Sequence, residues 1–249
     1  MPLGLPAPGS TALLLDLDGT LLDIAPTPDA VRVPDGLADT LQRLRNHLGG
    51  ALAVVTGRPI EQIDELLPGI PYAVAGEHGG AIRHAPGNPV VRAVLPDPPV
   101  EWVMQAARLV EAHPGTLLEQ KLRGFVFHYR AVPELGPLLR EAALALIAPE
   151  AGRFGLMEAS MAWEVRPRGV DKGSAVEALM QDAPFAGRQP VFIGDDVTDE
   201  DGMRAARGLR GAGLRVPDVF GGPAEVRAWL ARCADALDVG AAEWPGPEA

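Results

Sequence analysis

Short, almost wholly apolar runs alternate with amphipathic stretches over the first third of the chain. Thr11–Leu17 is apolar up to Asp16-Leu17-Asp18-Gly19-Thr20, a pattern that predicts a buried strand running into a turn. Leu37, Leu41, Leu44 and Leu48 then recur at helical spacing, with Pro34 suited to a first turn and Gly49-Gly50 placed to stop the helix. Ala51–Val55 is a second apolar strand ending at Thr56-Gly57-Arg58-Pro59, and Ile60, Ile63, Leu66 and Leu67 mark the next helix. Tyr72–Ala75 is a third strand, ending at Gly76-Glu77-His78-Gly79-Gly80. Strands that are apolar throughout and alternate with helices imply a parallel sheet covered on both faces. Polar residues collect just past the C-terminal strand ends, where open α/β sheets place their sites.

The rhythm changes after Pro96-Asp97-Pro98-Pro99. A helical stretch (Trp102, Val103, Ala106, Leu109, Val110) leads to a hairpin-like segment over Thr116–Ala131, a second helix after Pro133 and a strand over Met157–Arg166. This grouping is α+β, so residues 98–167 read as an insert that interrupts an α/β core made of 1–97 and 168–249. After Pro167 the alternation resumes: helix Lys172–Gln181, strand Pro190–Ile193, an acidic turn over Gly194–Asp201 and a helix over about 200–207. A strand near Leu214–Val216 and a helix carrying Val226, Trp229, Leu230 and Cys233 complete the core. The Pro- and Gly-rich residues 1–10 read as a frayed lead-in, and Glu243–Ala249 as a disordered tail.

A chain of 249 residues suffices for a sizeable core, or for two unequal domains. No apolar run approaches the ~20 residues of a membrane helix, and the N-terminal apolar stretch is broken by Asp16 and Asp18. The formal net charge of −11, with no basic run, disfavours a nucleic-acid partner. An anionic small molecule remains compatible, because local cations override the global sign. The single cysteine, Cys233, forms no internal disulfide, which fits a cytoplasmic location; it reads as a partly buried bystander.

Candidate chemistry begins with Asp16 and Asp18. Two carboxylates this close repel unless a cation or proton lies between them. A metal site, or a nucleophile beside a general acid/base, meets that need; an acidic surface turn is the plain alternative. The second acidic cluster, Gly194-Asp195-Asp196-Val197-Thr198-Asp199-Glu200-Asp201, puts five carboxylates at one strand end and points to a hard cation such as Mg²⁺. Asp195 is the candidate direct ligand, with Asp196 and Asp199 behind it, while the later acids also suit a helix N-terminus. Thr56, Gly57 and Arg58 offer a hydroxyl, backbone amides and a cation to a phosphate. Lys172 opens a helix, where the dipole disfavours positive charge, so another partner must hold it there.

Asp16-Leu17-Asp18-Gly19-Thr20-Leu21, Val55-Thr56-Gly57-Arg58, Lys172 and Gly194-Asp195-Asp196 resemble, in order, the four motifs of the haloacid dehalogenase superfamily. The resemblance implies a Rossmann-like parallel-sheet core with an inserted α+β cap, and an aspartate nucleophile, Asp16. It further implies Mg²⁺ held by Asp16, Asp195 and the Asp18 backbone carbonyl, Asp18 as acid and base, and Thr56 and Lys172 on the phosphoryl group. Within the insert, Leu117-Leu118-Glu119-Gln120-Lys121, Phe127-His128-Tyr129-Arg130 and Trp163–Gly173 resemble the trehalose-6-phosphate phosphatase family. That resemblance implies that Glu119, Lys121, Arg130 and Glu164 bind the glucose ring remote from the phosphate. Ala159-Ser160 departs from the family's usual Gly-Lys.

The residues themselves support part of this. Glu119 and Lys121 share a strand face. Glu158, Ser160, Ala162, Glu164 and Arg166 alternate with Met157, Ala159, Met161, Trp163 and Val165, giving one mostly polar and one mostly apolar face; a merely solvated sheet face is the alternative. Rival functions are another capped sugar phosphatase, acting on mannosyl-3-phosphoglycerate or sucrose phosphate, and a sugar phosphomutase.

Overall fold

The computed structural model describes residues 4–25, 30–121, 123–159 and 161–247. In chain order its elements are β1 (Thr11–Leu15), α1 (Leu37–His47), β2 (Leu52–Val55), α2 (Ile60–Leu66), β3 (Ala73–Gly76), β4 (Ala81–Arg83) and β5 (Val91–Arg92). There follow α3 (Val100–Ala112), β6 (Leu117–Lys121), β7 (Gly124–His128), α4 (Gly136–Ile147), β8 (Phe154–Ala159) and β9 (Ala162–Pro167). The chain ends with α5 (Lys172–Leu179), β10 (Gln189–Gly194), α6 (Asp199–Gly208), β11 (Ala212–Arg215), α7 (Val216–Val219) and α8 (Pro223–Asp238). Two compact units result, Met1–Ala93 with Val170–Ala249, and Val94–Gly169.

The first unit is a seven-stranded sheet in the order β11-β10-β1-β2-β3-β4-β5, parallel from β11 to β3. Every residue of β1, β2 and β3 is buried, as continuous apolar strands between two helical layers require. Register sets up the site: Leu15 lies opposite Ile193 on β10 and opposite Val54 on β2. The C-terminal ends of these three strands are therefore level, and the polar residues that follow each emerge together. β4 and β5 add an antiparallel edge that the hydrophobic pattern did not announce.

Two expectations at the termini are corrected. Trp244 packs on the core, stands 6.1 Å from the Trp229 ring and donates its Nε1–H to the carbonyl of Pro6. The Trp229 Nε1–H bonds to the carbonyl of Pro245. So 243–247 and 4–10 are tied to each other rather than loose; residues 1–3 and 248–249 lie outside the described residues.

The second unit is an antiparallel sheet, β6-β7-β9-β8. Phe125, Phe127, Phe154 and Val165 form its apolar core with Trp102 and Ala106 of α3 and Leu139, Ala143 and Ile147 of α4. The opposite face carries Glu119, Val126 and Glu164 in register across three strands. The single strand expected over Met157–Arg166 is instead a tight hairpin, with Ala159 opposite Ala162. The reversal flips the alternation. Glu158 lies opposite Trp163, and Met157 opposite Glu164, so Glu158 belongs to the other face from Glu164. Ser160 lies outside the described residues.

Candidate active site

Asp16 follows β1 immediately, and its amide donates to the Ile193 carbonyl, which pins it at the level of β10. Gly19 makes the turn behind it at φ 78°, in the left-handed region. A Cβ at this position would overlap the Asp195 carboxylate, so glycine is required twice over. Asp195 and Asp196 follow β10, and Thr56 follows β2 with its amide bonded to the Ala75 carbonyl.

Lys172 has the partners that its place at a helix start demanded. Asp171 caps α5, accepting from the Ser174 amide while the Ser174 hydroxyl meets the Asp171 amide. That fixes Lys172 in the first turn, 3% exposed, with Nζ donating to Asp16 Oδ1 at 2.7 Å and to Asp199 Oδ1 at 2.6 Å. Burial alone would pull the lysine down, but the two carboxylates outweigh it and raise its pKa, so it is an ammonium throughout the neutral range. The other oxygen of Asp199 accepts the amides of Asp195 and Asp196, both at 3.0 Å. Burial and the Asp16 charge push the Asp199 carboxyl upward. Its bonds are nevertheless all of the accepting kind, as befits a carboxylate facing an ammonium.

Asp16 is also raised, by burial first, with Lys172 opposing. Asp195 is pushed up to about 6 by burial, then by Asp16 and Asp196. Burial would raise Asp196 as well, yet the Thr198 hydroxyl and amide bring it below the usual carboxylate range. Oxygens of Asp16, Asp195 and Asp199 lie within 4.8 Å of one another. This all-oxygen donor set, under mutual repulsion, fits a hard divalent cation. Because both Asp199 oxygens are already occupied by Lys172 and two amides, Asp16 and Asp195 have the coordinating capacity.

The Asp18 carboxylate is held by Arg58, Nε to Oδ2 at 2.6 Å and Nη2 to Oδ1 at 2.7 Å. The Thr56 hydroxyl accepts the Arg58 amide at 3.2 Å, closing the turn that carries Gly57. The motif residues Asp16, Asp18, Thr56, Gly57, Arg58, Lys172, Asp195, Asp196 and Asp199 are thus all borne by the level ends of β1, β2 and β10 or by the starts of α5 and α6. Three contributors were not read from the sequence as site residues. The Thr20 hydroxyl donates to Asp195 Oδ1 at 3.4 Å, Gln62 accepts from Arg58 Nη1, and the His78 amide donates to the Thr56 carbonyl while its ring covers Gly57. The threonine after Asp18-Gly19 was a readable signal; the other two depend on the fold.

On the inserted unit, Glu119, Lys121 and Glu164 share the face away from the helices, and Lys121 Nζ lies 3.5 Å from Glu164 Oε1. His128 Nε2 is 2.8 Å from Glu119 Oε2. Arg130 is exposed in the turn after β7 rather than on a strand.

The family model for trehalose-phosphatase matches residues 14–221. Trehalose-6-phosphate phosphatase of Escherichia coli is 38% identical over 208 residues, covering 82% of this chain and 77% of its own. A probable trehalose-phosphate phosphatase of Sinorhizobium fredii is 41% identical over 212 residues, with the same coverages of 82% and 77%. Among solved structures, the C-terminal domain of C. albicans trehalose-6-phosphate phosphatase superposes with a TM-score of 0.72 at 21% identity, over 91% of this chain and 93% of its own, which speaks to the fold. Aspergillus fumigatus trehalose-6-phosphate phosphatase gives 0.65 at 26% identity, over 92% and 94%.

Proposed function

Since the chain belongs to the trehalose-phosphatase family, we propose that it hydrolyses trehalose 6-phosphate to trehalose and phosphate through a phosphorylated Asp16, with Mg²⁺ as cofactor. The observation that carries this reading is the buried Asp16–Lys172–Asp199 array at the end of β1. In it Asp16 Oδ1 accepts from the Lys172 ammonium, which holds the carboxylate in place at the strand end.

Asp16 attacks phosphorus in line; an Asp16 Oδ–P bond forms as the bond to the sugar oxygen breaks. Asp18 gives its proton to the departing sugar oxygen. It then takes one from the water that attacks phosphorus and releases phosphate from Asp16. Lys172, Thr56 and the amides around Gly57 stabilise charge on the transferring group, and Arg58 stands beside them. Mg²⁺, held by Asp16, Asp195 and the Asp18 carbonyl, supplies further charge neutralisation when bound. Glu119, Lys121, Arg130 and Glu164 of the insert (98–167 on the sequence reading) bind the distal glucose and so set specificity. The enzyme is proposed to work in the cytoplasm. Phosphate release from a panel of sugar phosphates, with and without Mg²⁺, tests the reading: trehalose 6-phosphate should be preferred and turnover should need the metal. A preference for sucrose phosphate, or for transfer back to sugar over water, would replace it.

Two further results are expected. Glu164→Ala should cut kcat/KM for trehalose 6-phosphate about ten- to a hundredfold, the worth of one charged hydrogen bond, and scarcely alter hydrolysis of a small phosphate ester. Equal losses on both would make Glu164 a structural residue of its sheet. The second concerns pH. The Asp195 carboxyl rises from 3.8 to about 6 on folding. The folded metal-free protein therefore binds the extra proton, and its stability falls as pH rises through that window. Metal binding must displace this proton, so the rise in Tm on adding Mg²⁺ should be larger at about pH 7.5 than at about pH 5. Calorimetry showing an equal rise at both would remove Asp195 from the ligand set.

A further inference from the structure

We propose that Arg58 is a positioning residue that acts on the reaction through Asp18, and is not primarily a ligand of the phosphate. The inference rests on the reading of Asp18 as acid and base. Its starting point is the fork geometry: Nε and Nη2 of one guanidinium meet both oxygens of one carboxylate at 2.6 and 2.7 Å. Such pairing fixes the plane of the carboxylate as well as its distance, which a lysine cannot do. The third nitrogen, Nη1, donates to Gln62 Oε1 of α2 at 3.2 Å. Residue 58 is also held at its backbone, its amide by Thr56 Oγ1 and its carbonyl by the Glu77 amide. The arginine side chain is 13% exposed and Asp18 36%. The more open partner is the one whose rotamer needs fixing, and the more buried one does the fixing.

The chemistry needs this. A short carboxylate at the surface of a turn samples several rotamers, while acid catalysis needs one oxygen aimed at the sugar oxygen. When Asp18 carries the proton, the carbonyl oxygen keeps one Arg58 N–H bond and the other oxygen presents the O–H. The proton leaves with the sugar as the P–O bond breaks and the Asp16–P bond forms. Arg58 is unchanged. When water attacks, its proton goes to the same oxygen while the Asp16–P bond breaks.

Two esters separate this role from phosphate binding. A sugar alkoxide needs a proton to leave; p-nitrophenolate does not. For Arg58→Lys, kcat/KM for trehalose 6-phosphate should fall about tenfold further than for p-nitrophenyl phosphate, reflecting one lost charged hydrogen bond. Asp18→Asn should show the same selective loss, and the double variant should be no worse than Asp18→Asn alone. Inhibition by inorganic phosphate should be retained. Equal losses on both esters, weakened phosphate inhibition, or additive losses in the double variant would each overturn the proposal. If Asp18→Asn itself spared the sugar ester, the acid assignment would fall first and carry this inference with it. Circular dichroism checks folding, and Arg58→Gln supplies the same comparison should Arg58→Lys unfold.

Discussion

Asp16→Asn is expected to lower kcat by about a thousandfold or more, with the fold intact. The amide is nearly isosteric and keeps an oxygen for the Lys172 ammonium, which donates to Asp16 Oδ1 at 2.7 Å. It is a far weaker nucleophile, and it removes one of the two carboxylates best placed to hold Mg²⁺. Stability should not suffer. Burial raises the pKa of Asp16 against the opposing pull of Lys172, so the folded protein carries a net penalty for its charge. The Tm of the metal-free variant should therefore equal or exceed that of wild type, while its response to Mg²⁺ shrinks. Activity within tenfold of wild type would sink the nucleophile assignment; a collapsed Tm would mean that Asp16 serves the fold.

Lys172→Met should produce the largest loss of stability. Lys172 and Asp199 are 3% and 0% exposed, and the ammonium is the only charge that hydrogen-bonds both Asp16 and Asp199 among the described residues. Methionine fills similar space but leaves two buried carboxylates facing each other. Breaking such an array costs about 3–5 kcal/mol. The cost should depend on pH in a defined direction. In the variant both carboxyls have folded pKa values above their unfolded ones, so each is penalised as pH rises through that window. Urea unfolding in metal-free buffer should show a larger deficit at about pH 8 than at about pH 5, where protons relieve the repulsion. A deficit below about 1 kcal/mol at the higher pH would contradict the account of the array. Activity should be lost as well, since the same ammonium neutralises the transferring phosphoryl group.

The core site was legible because each part of it broke a local rule. Asp16 and Asp195 end continuous apolar strands, and Lys172 sits against its helix dipole; the structure resolves both anomalies with one another. Asp199 was less legible. Its place in a helix first turn already had a sufficient explanation, and only the fold reveals a fully buried side chain organising Lys172 and two amides. The β8–β9 hairpin was misread as one strand because Ala159-Ser160-Met161-Ala162 contains no Gly, Pro, Asn or Asp, the residues that a two-residue hairpin turn favours, and a near-regular alternation passes through it. That error put Glu158 beside Glu164, where the register places Met157. The tail was misread from its composition: one tryptophan packed on Trp229 is enough to order a Pro- and Gly-rich segment. Short edge strands such as β5, two residues long, carry too little pattern to register.

The most direct test of the central claim is chemical trapping of the intermediate. Asp18→Asn, which slows water activation more than attack on an aryl ester, is mixed with p-nitrophenyl phosphate and Mg²⁺, quenched after one turnover and reduced with borohydride. Reduction converts an aspartyl phosphate to homoserine and leaves free carboxylates alone. Mass spectrometry should then place homoserine at residue 16 and nowhere else, in an amount matching the nitrophenolate released. Release of nitrophenolate with residue 16 still recovered as aspartate would contradict the account.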